Sequence, residues 1–292
     1  MEFRHLRYFV VVAEELHFGR AAERLQMTQP ALSKQIAALE QEIDVLLLMR
    51  TKRTVQLTSA GQCFLERARQ LLSQADEAIQ VAKRTARGEI GQLTLGFTVT
   101  ATYTVLPKLV RRFRDRYPNV EITMLELSTE VQVAALNQHT IDLAFLHPPI
   151  DERGLALHLI LEETFVVVLP KHHPLLEQKR LSLALLAHEK FILHPRQEGP
   201  MLYDSFRRLC YQVGFQPQIV KEVGSHQTRI CLVAAGMGIT FVPASVKLLV
   251  QGEVACREIE DIPIKLQLAA AWRQNEQMPT LREFLKDLQG EQ

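Results

Sequence analysis

The 292-residue sequence predicts an α/β protein headed by a small all-α unit that carries a two-stranded wing. Three observations point there. Apolar residues recur every three or four positions through residues 3–43. Two short extended runs then flank a basic tip, and beyond Gly91 strand-like runs alternate with helical ones.

The first helix is EFRHLRYFVVVAEELHF, with Phe3, Leu6, Phe9, Val10, Ala13 and Leu16 on one stripe. A second, from Gly19 to Leu25, packs through Ala21, Ala22 and Leu25, whose alanines let a neighbouring backbone come close. After the turn Gln26-Met27-Thr28, a third helix runs from about Gln29 to Ile43. Thr28 suits its N-cap, where a hydroxyl satisfies an orphan N–H, and Pro30 suits its first turn. Leu32, Ile36, Leu39 and Ile43 face inward, which turns Ser33, Lys34 and Gln35 outward.

Residues 46–58 read as a β-wing with Lys52 and Arg53 at its tip. Thr58 or Ser59 then caps a long helix, Gln62 offering a capping box with Ser59. Its stripe comprises Phe64, Ala68, Leu71 or Leu72, Ala75, Ile79 and Ala82, and Gly88 stops it. So long an amphipathic helix predicts a coiled-coil dimer, the alternative being a helix packed on its own domain.

The remainder reads as strands at 92–97, 120–127, 142–146, 164–169, 191–193, 218–223, 239–242 and 264–272. Helices fall at 105–117, 130–137, 202–213, 227–235 and 279–288. No internal repeat or low-complexity segment interrupts them.

Composition excludes several classes. With 47% apolar and 23% charged residues the chain is ordinary for a globular protein, and bursts such as Val166 to Val168 fall far short of the ~20 residues a membrane span needs. No membrane partner is expected, and the charged N-terminus lacks a signal-peptide core, so a cytoplasmic setting is expected. Four scattered cysteines lack any Cys-x-x-Cys pair, so neither a disulfide framework nor a metal site is expected. Gly236-Met237-Gly238 lacks the third glycine of a dinucleotide fingerprint, and neither His-Glu-x-x-His nor Gly-x-Ser-x-Gly occurs. The net charge is only +1; residues 1–87 hold 13 basic against 10 acidic side chains. That asymmetry is too small to announce nucleic acid, and spacing carries the argument instead.

Helix, turn, helix and basic wing occur in that order within 58 residues. The second helix of such a motif lies in the ~12 Å major groove, which admits small or flexible polar side chains. Thr28, Gln29, Pro30, Ser33, Lys34 and Gln35 meet that requirement. Gln29 suits adenine and Lys34 guanine, Thr28 and Ser33 suit phosphates, and Lys52 and Arg53 suit an adjacent minor groove. The expected partner is double-stranded promoter DNA. A solute-binding or enzymatic protein with an N-terminal dimerisation module is the rival, but such a module would fill the face of Gln29, Ser33 and Lys34 with apolar residues.

The N-terminus strongly resembles that of LysR-type transcriptional regulators. The resemblance rests on Phe18-Gly19-Arg20-Ala21-Ala22, Thr28-Gln29-Pro30-Ala31-Leu32-Ser33, Leu39-Glu40 and Leu57-Thr58-Ser59-Ala60-Gly61. Later pieces agree: Leu106-Pro107, Asp142-Leu143-Ala144, and Leu232 to Ile239 with Val242-Pro243. One departure is Asp44-Val45-Leu46-Leu47-Leu48, where the family more usually has Gly-x-x-Leu-Phe. The resemblance implies a winged helix-turn-helix at 1–58, a dimerising linker helix at 59–90 and an effector domain at 91–292. It further implies dimers paired into tetramers, contact with RNA polymerase, and a sensor similar to periplasmic binding proteins. Its two subdomains, 91–162 with 267–292 and 163–266, hold a co-inducer between them.

Loops after strand ends then become the candidate effector site. Thr98, Thr100 and Thr102 follow one strand and Ser128 and Thr129 another; by resemblance Thr100 and Thr129 match positions that hold an effector carboxylate, N-capping being the plainer role. His147, and His194 with Arg196, follow strands of opposite subdomains, and Gln227 opens a helix. The expected effector is an aromatic or short organic acid, with no cofactor besides. A redox sensor using Cys210 or Cys231 is a weaker alternative, since neither has an adjacent basic residue to make a thiolate.

Overall fold

The computed structural model describes residues 1–51 and 54–290, so the predicted wing-tip residues Lys52 and Arg53 lie outside the described residues. The chain forms two compact units, Met1–Ala86 and Arg87–Gln292.

In the first unit, α1 (Phe3–Glu15), α2 (Phe18–Arg24) and α3 (Gln29–Glu42) precede a hairpin of β1 (Leu48–Arg50) and β2 (Val55–Leu57), then α4 (Ser59–Ala86). The predicted stripes converge on one core: Leu6, Phe9, Ala21, Ala22, Leu32, Ile36 and Leu39 are all buried. Phe64 of α4 meets Phe9 edge-on at 5.3 Å. Arg69 of α4 pairs with Glu14 of α1 at 2.8 Å, which holds the Glu14 carboxyl below its usual range.

One cap differs from expectation, and at another one of the two expected residues serves. Thr28 occupies the N-cap of α3, but its hydroxyl caps nothing. At α4 the capping hydroxyl is that of Thr58, which accepts the Gly61 amide at 2.8 Å, so the Ser59–Gln62 box is not what closes this end. Gly61 itself is dictated by proximity. A Cβ there would lie 2.0 Å from the Leu47 carbonyl oxygen, so only glycine lets α4 run this close under the wing. Asp44, where the family more usually has glycine, takes φ +53°, a left-handed conformation that Asp tolerates better than most residues.

The second unit is a mixed α/β structure. One half holds β3 (Ile90–Phe97), β4 (Asn119–Glu126) and β5 (Leu143–Leu146), with β3 parallel to both neighbours. Their cover comes from α5 (Val99–Tyr103), α6 (Leu106–Arg116), α7 (Thr129–Asn137) and α10 (Pro279–Gln289). The other half holds β7 (Lys190–Leu193), β8 (Gln218–Glu222), β9 (Thr240–Pro243) and β10 (Val254–Glu258), with α8 (Pro200–Gln212) and α9 (His226–Ala234). Two long strands, β6 (Leu155–Pro170) and β11 (Lys265–Arg273), run antiparallel through both halves. At one end β11 pairs with β5; at the other β6 pairs with β9 and β10.

Alternation had suggested parallel sheets; β6, β9, β10 and β11 are antiparallel, because the crossing strands must return through the same sheet. The predicted strand at 164–169 is only the second half of β6. Its first half alternates Leu155, Leu157, Leu159 and Leu161 with mixed residues, a period-two pattern that belongs to the neighbouring half.

Candidate nucleic-acid interface and ligand cleft

Burial of Leu32, Ile36 and Leu39 fixes the roll of α3, and so decides what faces out. Thr28, Gln29, Pro30 and Lys34 are exposed together at its N-terminal end. Ser33 is half-buried, within 3.5 Å of the Arg50 guanidinium. Gln35 differs from expectation: its Oε1 pairs with His5 Nε2 at 3.0 Å, so it braces α3 on α1 instead of standing free.

A residue that spacing did not single out joins the wing to this helix. Glu40 on α3 is 7% exposed, and its Oε1 accepts the amides of both Leu47 and Leu48 at 2.9 Å. Its Oε2 takes the Arg50 guanidinium at 2.6 Å, and Arg50 also stands 4.8 Å over the Phe18 ring. One carboxylate therefore sets the start of the wing relative to the helix that would enter the groove.

In the second unit, the carboxyl ends of parallel strands from both halves border a cleft of about 850 Å³. Seven of the nine predicted residues line it: Thr98, Thr100, Ser128, Thr129, His147, His194 and Gln227. Two do not. Thr102 turns its hydroxyl back to the Val99 carbonyl at 2.6 Å and borders a separate depression. Arg196 is exposed and bound bidentately to Asp204 at 2.8 and 2.7 Å, a geometry that holds it away from the cleft.

Hydrogen bonds assign the other polar groups. Ser128 Oγ caps α7 by accepting the Val131 amide at 3.4 Å, its plainer role. Thr129 Oγ1 accepts the His147 amide at 3.2 Å. His147 Nδ1 faces the Gln267 carbonyl at 2.8 Å and must carry the proton there; Nε2 then faces Thr98 Oγ1 at 3.2 Å. Gln267 belongs to the crossing strand β11, so this ring links a cleft wall to the connection between halves. Burial pushes the His147 ring below its ordinary pKa.

The opposite wall is built around Arg229, which the sequence reading passed over. It is 3% exposed. Its Nη1 donates to the Phe241 carbonyl at 3.1 Å and its Nη2 to His226 Nδ1 at 2.5 Å, while Nε has no partner. None of the described carboxylates pairs with it. Burial brings its pKa down to about 10, with Glu198 acting weakly in the opposite sense. Beside it, burial and then the Arg229 charge press His226 down to about 3. The signal was legible in the helix HQTRICLVA, where Arg229 shares the buried stripe with Ile230 and Val233. Phe165, Phe206, Phe241, Ile264 and Leu266 supply apolar walls.

The cleft thus combines one buried cation, several hydrogen-bonding groups and hydrophobic surface around them. Among the described residues, no group of three or more His, Cys, Asp or Glu side chains is placed to hold a metal ion, and none of the helices is long and apolar enough to cross a membrane. Cys210 is buried, which pushes its thiol up to about 12 and leaves it unreactive as a thiolate.

Comparison with known proteins agrees with this division. The family described as "Bacterial regulatory helix-turn-helix protein, lysR family" matches residues 3–62, and "LysR substrate binding domain" matches residues 86–292. The HTH-type transcriptional regulator AlsR of Bacillus subtilis (strain 168) is 44% identical over 98% of this chain and 94% of its own. The crystal structure of CbnR, a LysR family transcriptional regulator, superposes with a TM-score of 0.87 at 30% identity, covering 99% of this chain and 100% of that one. Full-length CbnR complexed with its target DNA gives 0.85 at 30% identity over 99% of each chain. A helix-turn-helix with groove-sized polar residues, a two-half cleft with convergent donors, and these matches along nearly the whole chain leave one conclusion. The protein belongs to the LysR family: it is a DNA-binding transcriptional regulator, not an enzyme, that carries an effector-binding domain and acts on promoter DNA as an oligomer.

Proposed function

We propose that this regulator senses a small carboxylate with an apolar body, an aromatic or short organic acid, bound in the cleft between the two halves of its effector domain. The observation that carries the reading is Arg229, a buried guanidinium lining the cleft without a carboxylate partner among the described residues. An isolated buried charge is costly, and a ligand of opposite charge removes that cost. Thr98, Thr100, Thr129, His147, His194 and Gln227 are the donors and acceptors that complete recognition, and no resident cofactor or metal is needed for it. Ligand binding favours one closure of the halves through its differential affinity for the two states.

The family's dimer is assigned to α4. Its N-terminal part packs on the core, but Leu71 and Ile79, on the same stripe of the helix, are 44% and 51% exposed, an apolar face that a second copy of the helix covers. Tetramers built from such dimers, contact with RNA polymerase and a cytoplasmic location belong to the same reading.

Base reading is assigned to Gln29 and Lys34, with Thr28 and Ser33 on phosphates, on the strength of their exposed or half-buried places along α3; that CbnR forms a complex with its target DNA supports DNA as the partner. Lys34→Ala is expected to weaken a site selected from random sequence by ~1–3 kcal/mol, leaving random DNA nearly unaffected. Gel retardation at fixed salt measures both; equal losses on the two would remove the base-reading role. For the effector, calorimetry of the full chain against acetate, benzoate, salicylate and cinnamate should give saturable heat for at least one acid. The matching amides should give none, and silence across the acids would remove the carboxylate reading.

A further inference from the structure

Resting on the reading of the cleft as an anion site, we propose that the protein takes up its effector anion together with one proton, which His194 Nδ1 accepts. The chemistry follows from which ring nitrogens around Arg229 remain available.

Three imidazoles line this cleft. His147 has both nitrogens engaged, Nδ1 with the Gln267 carbonyl and Nε2 with Thr98 Oγ1. His226 uses its Nδ1 lone pair to accept from Arg229, so protonating it requires breaking that bond. His194 differs. Its Nε2 faces the Gly199 carbonyl at 3.2 Å, which can only accept, so Nε2 carries the proton. Among the described residues its Nδ1 has no hydrogen-bond partner, and it is the open basic site of the cluster.

What keeps Nδ1 empty is its surroundings. Burial first, and then the Arg229 charge, hold His194 below its ordinary value; the Gly199 carbonyl and Glu222 act the other way. Glu222 is itself engaged by the Tyr203 hydroxyl at 2.7 Å. Glu126, Glu130 and Glu198 also border the cleft, but as exposed, solvated groups. The phenols Tyr103 and Tyr203 are raised by burial and stay protonated. A carboxylate placed against Arg229 cancels the charge that suppresses His194 and adds one that favours its protonated form. The new N–H then becomes a further donor for the ligand.

The sign is fixed by linkage. The free protein has the lower His194 pKa and the complex the higher, so between those values the complex holds one more proton and affinity rises as pH falls. It levels off above the pKa of the complex.

The test uses the full chain and whichever of acetate, benzoate, salicylate and cinnamate binds most tightly by calorimetry at pH 6.5. Between pH 5.5 and 7.5 the association constant is expected to fall by about tenfold or more in total. Heats at pH 6.5 in two buffers of unlike ionisation enthalpy should differ by the amount for about one proton taken up. His194→Gln, which keeps a donor toward Gly199, should bind with an affinity that no longer varies with pH, whatever its absolute value; His188→Gln, an exposed histidine elsewhere, should leave the slope intact. Binding with buffer-independent heat and affinity constant across this range would overturn the proton coupling while leaving the anion site standing. An unchanged slope in His194→Gln would overturn the assignment to His194. If none of the four acids binds at any pH, the anion reading fails, and this inference with it. Because the wild-type buffer comparison needs no variant, a misfolded His194→Gln leaves the coupling open to refutation.

Discussion

Alanine at Glu40 is expected to cost the DNA-binding unit about 3–5 kcal/mol, the loss typical when one partner of a buried ion pair is removed. The Glu40 carboxylate satisfies the Leu47 and Leu48 amides and the Arg50 guanidinium at once. Alanine would strand two amides at residues that are 1% and 3% exposed, and would release the wing from α3. For a unit of this size each kcal/mol moves the midpoint by ~4–8 °C, so its transition in calorimetry of the full chain should drop by roughly 12 °C or more. Operator affinity should fall with it, since the wing is no longer held beside the recognition helix. Arg50→Ala should cost clearly less, because Arg50 is partly exposed and its loss leaves Glu40 with both amides. An unshifted transition in Glu40→Ala would show that the wing is held by packing alone.

Arg229→Met should separate sensing from folding. Methionine roughly fills the volume of the guanidinium stem but carries no charge, so carboxylate affinity should fall by about 100-fold or more, as for truncating a buried charged partner of ~3 kcal/mol or above. Stability of the unliganded protein should move the other way or not at all. The lost bond to the Phe241 carbonyl is offset by removing a buried cation that has no carboxylate partner. Thermal midpoints with and without ligand report both quantities: the variant should match or exceed the wild type when free, and gain nothing from any acid that stabilises the wild type. A large fall in the free midpoint would mean that Arg229 is a structural residue, and the case for an anion site would go with it.

Local chemistry explains what was readable from residue order. The helical stripes of α1 to α4 were legible because burial on one side of a helix imposes a 3.6-residue period, and the same residues then fixed which side of α3 faces out. That is why Gln29 and Lys34 are legible as outward-facing, and why six cleft residues are legible from their place after strand ends and Gln227 from its place at a helix start. Periodicity is silent on partners. Gln35 reads as another outward polar residue, yet His5, thirty positions earlier, claims it. Arg196 reads as a cleft cation, yet Asp204 one helix later takes it away. The first half of β6 and all of β10 were passed over because their strand character depends on what lies alongside them in the sheet.

Sequence by itself determined the modules and their order, the exposed face of the recognition helix and the family, since each is written in spacing between near neighbours. Tertiary structure alone decided the charges. Whether Glu40 is a surface carboxylate or the pin of the wing, and whether Arg229 is solvated or buried beside His226 and near His194, depends on desolvation and on partners brought from distant segments. Coulombic and hydrogen-bond energies follow distance in space, and only the folded chain sets that distance.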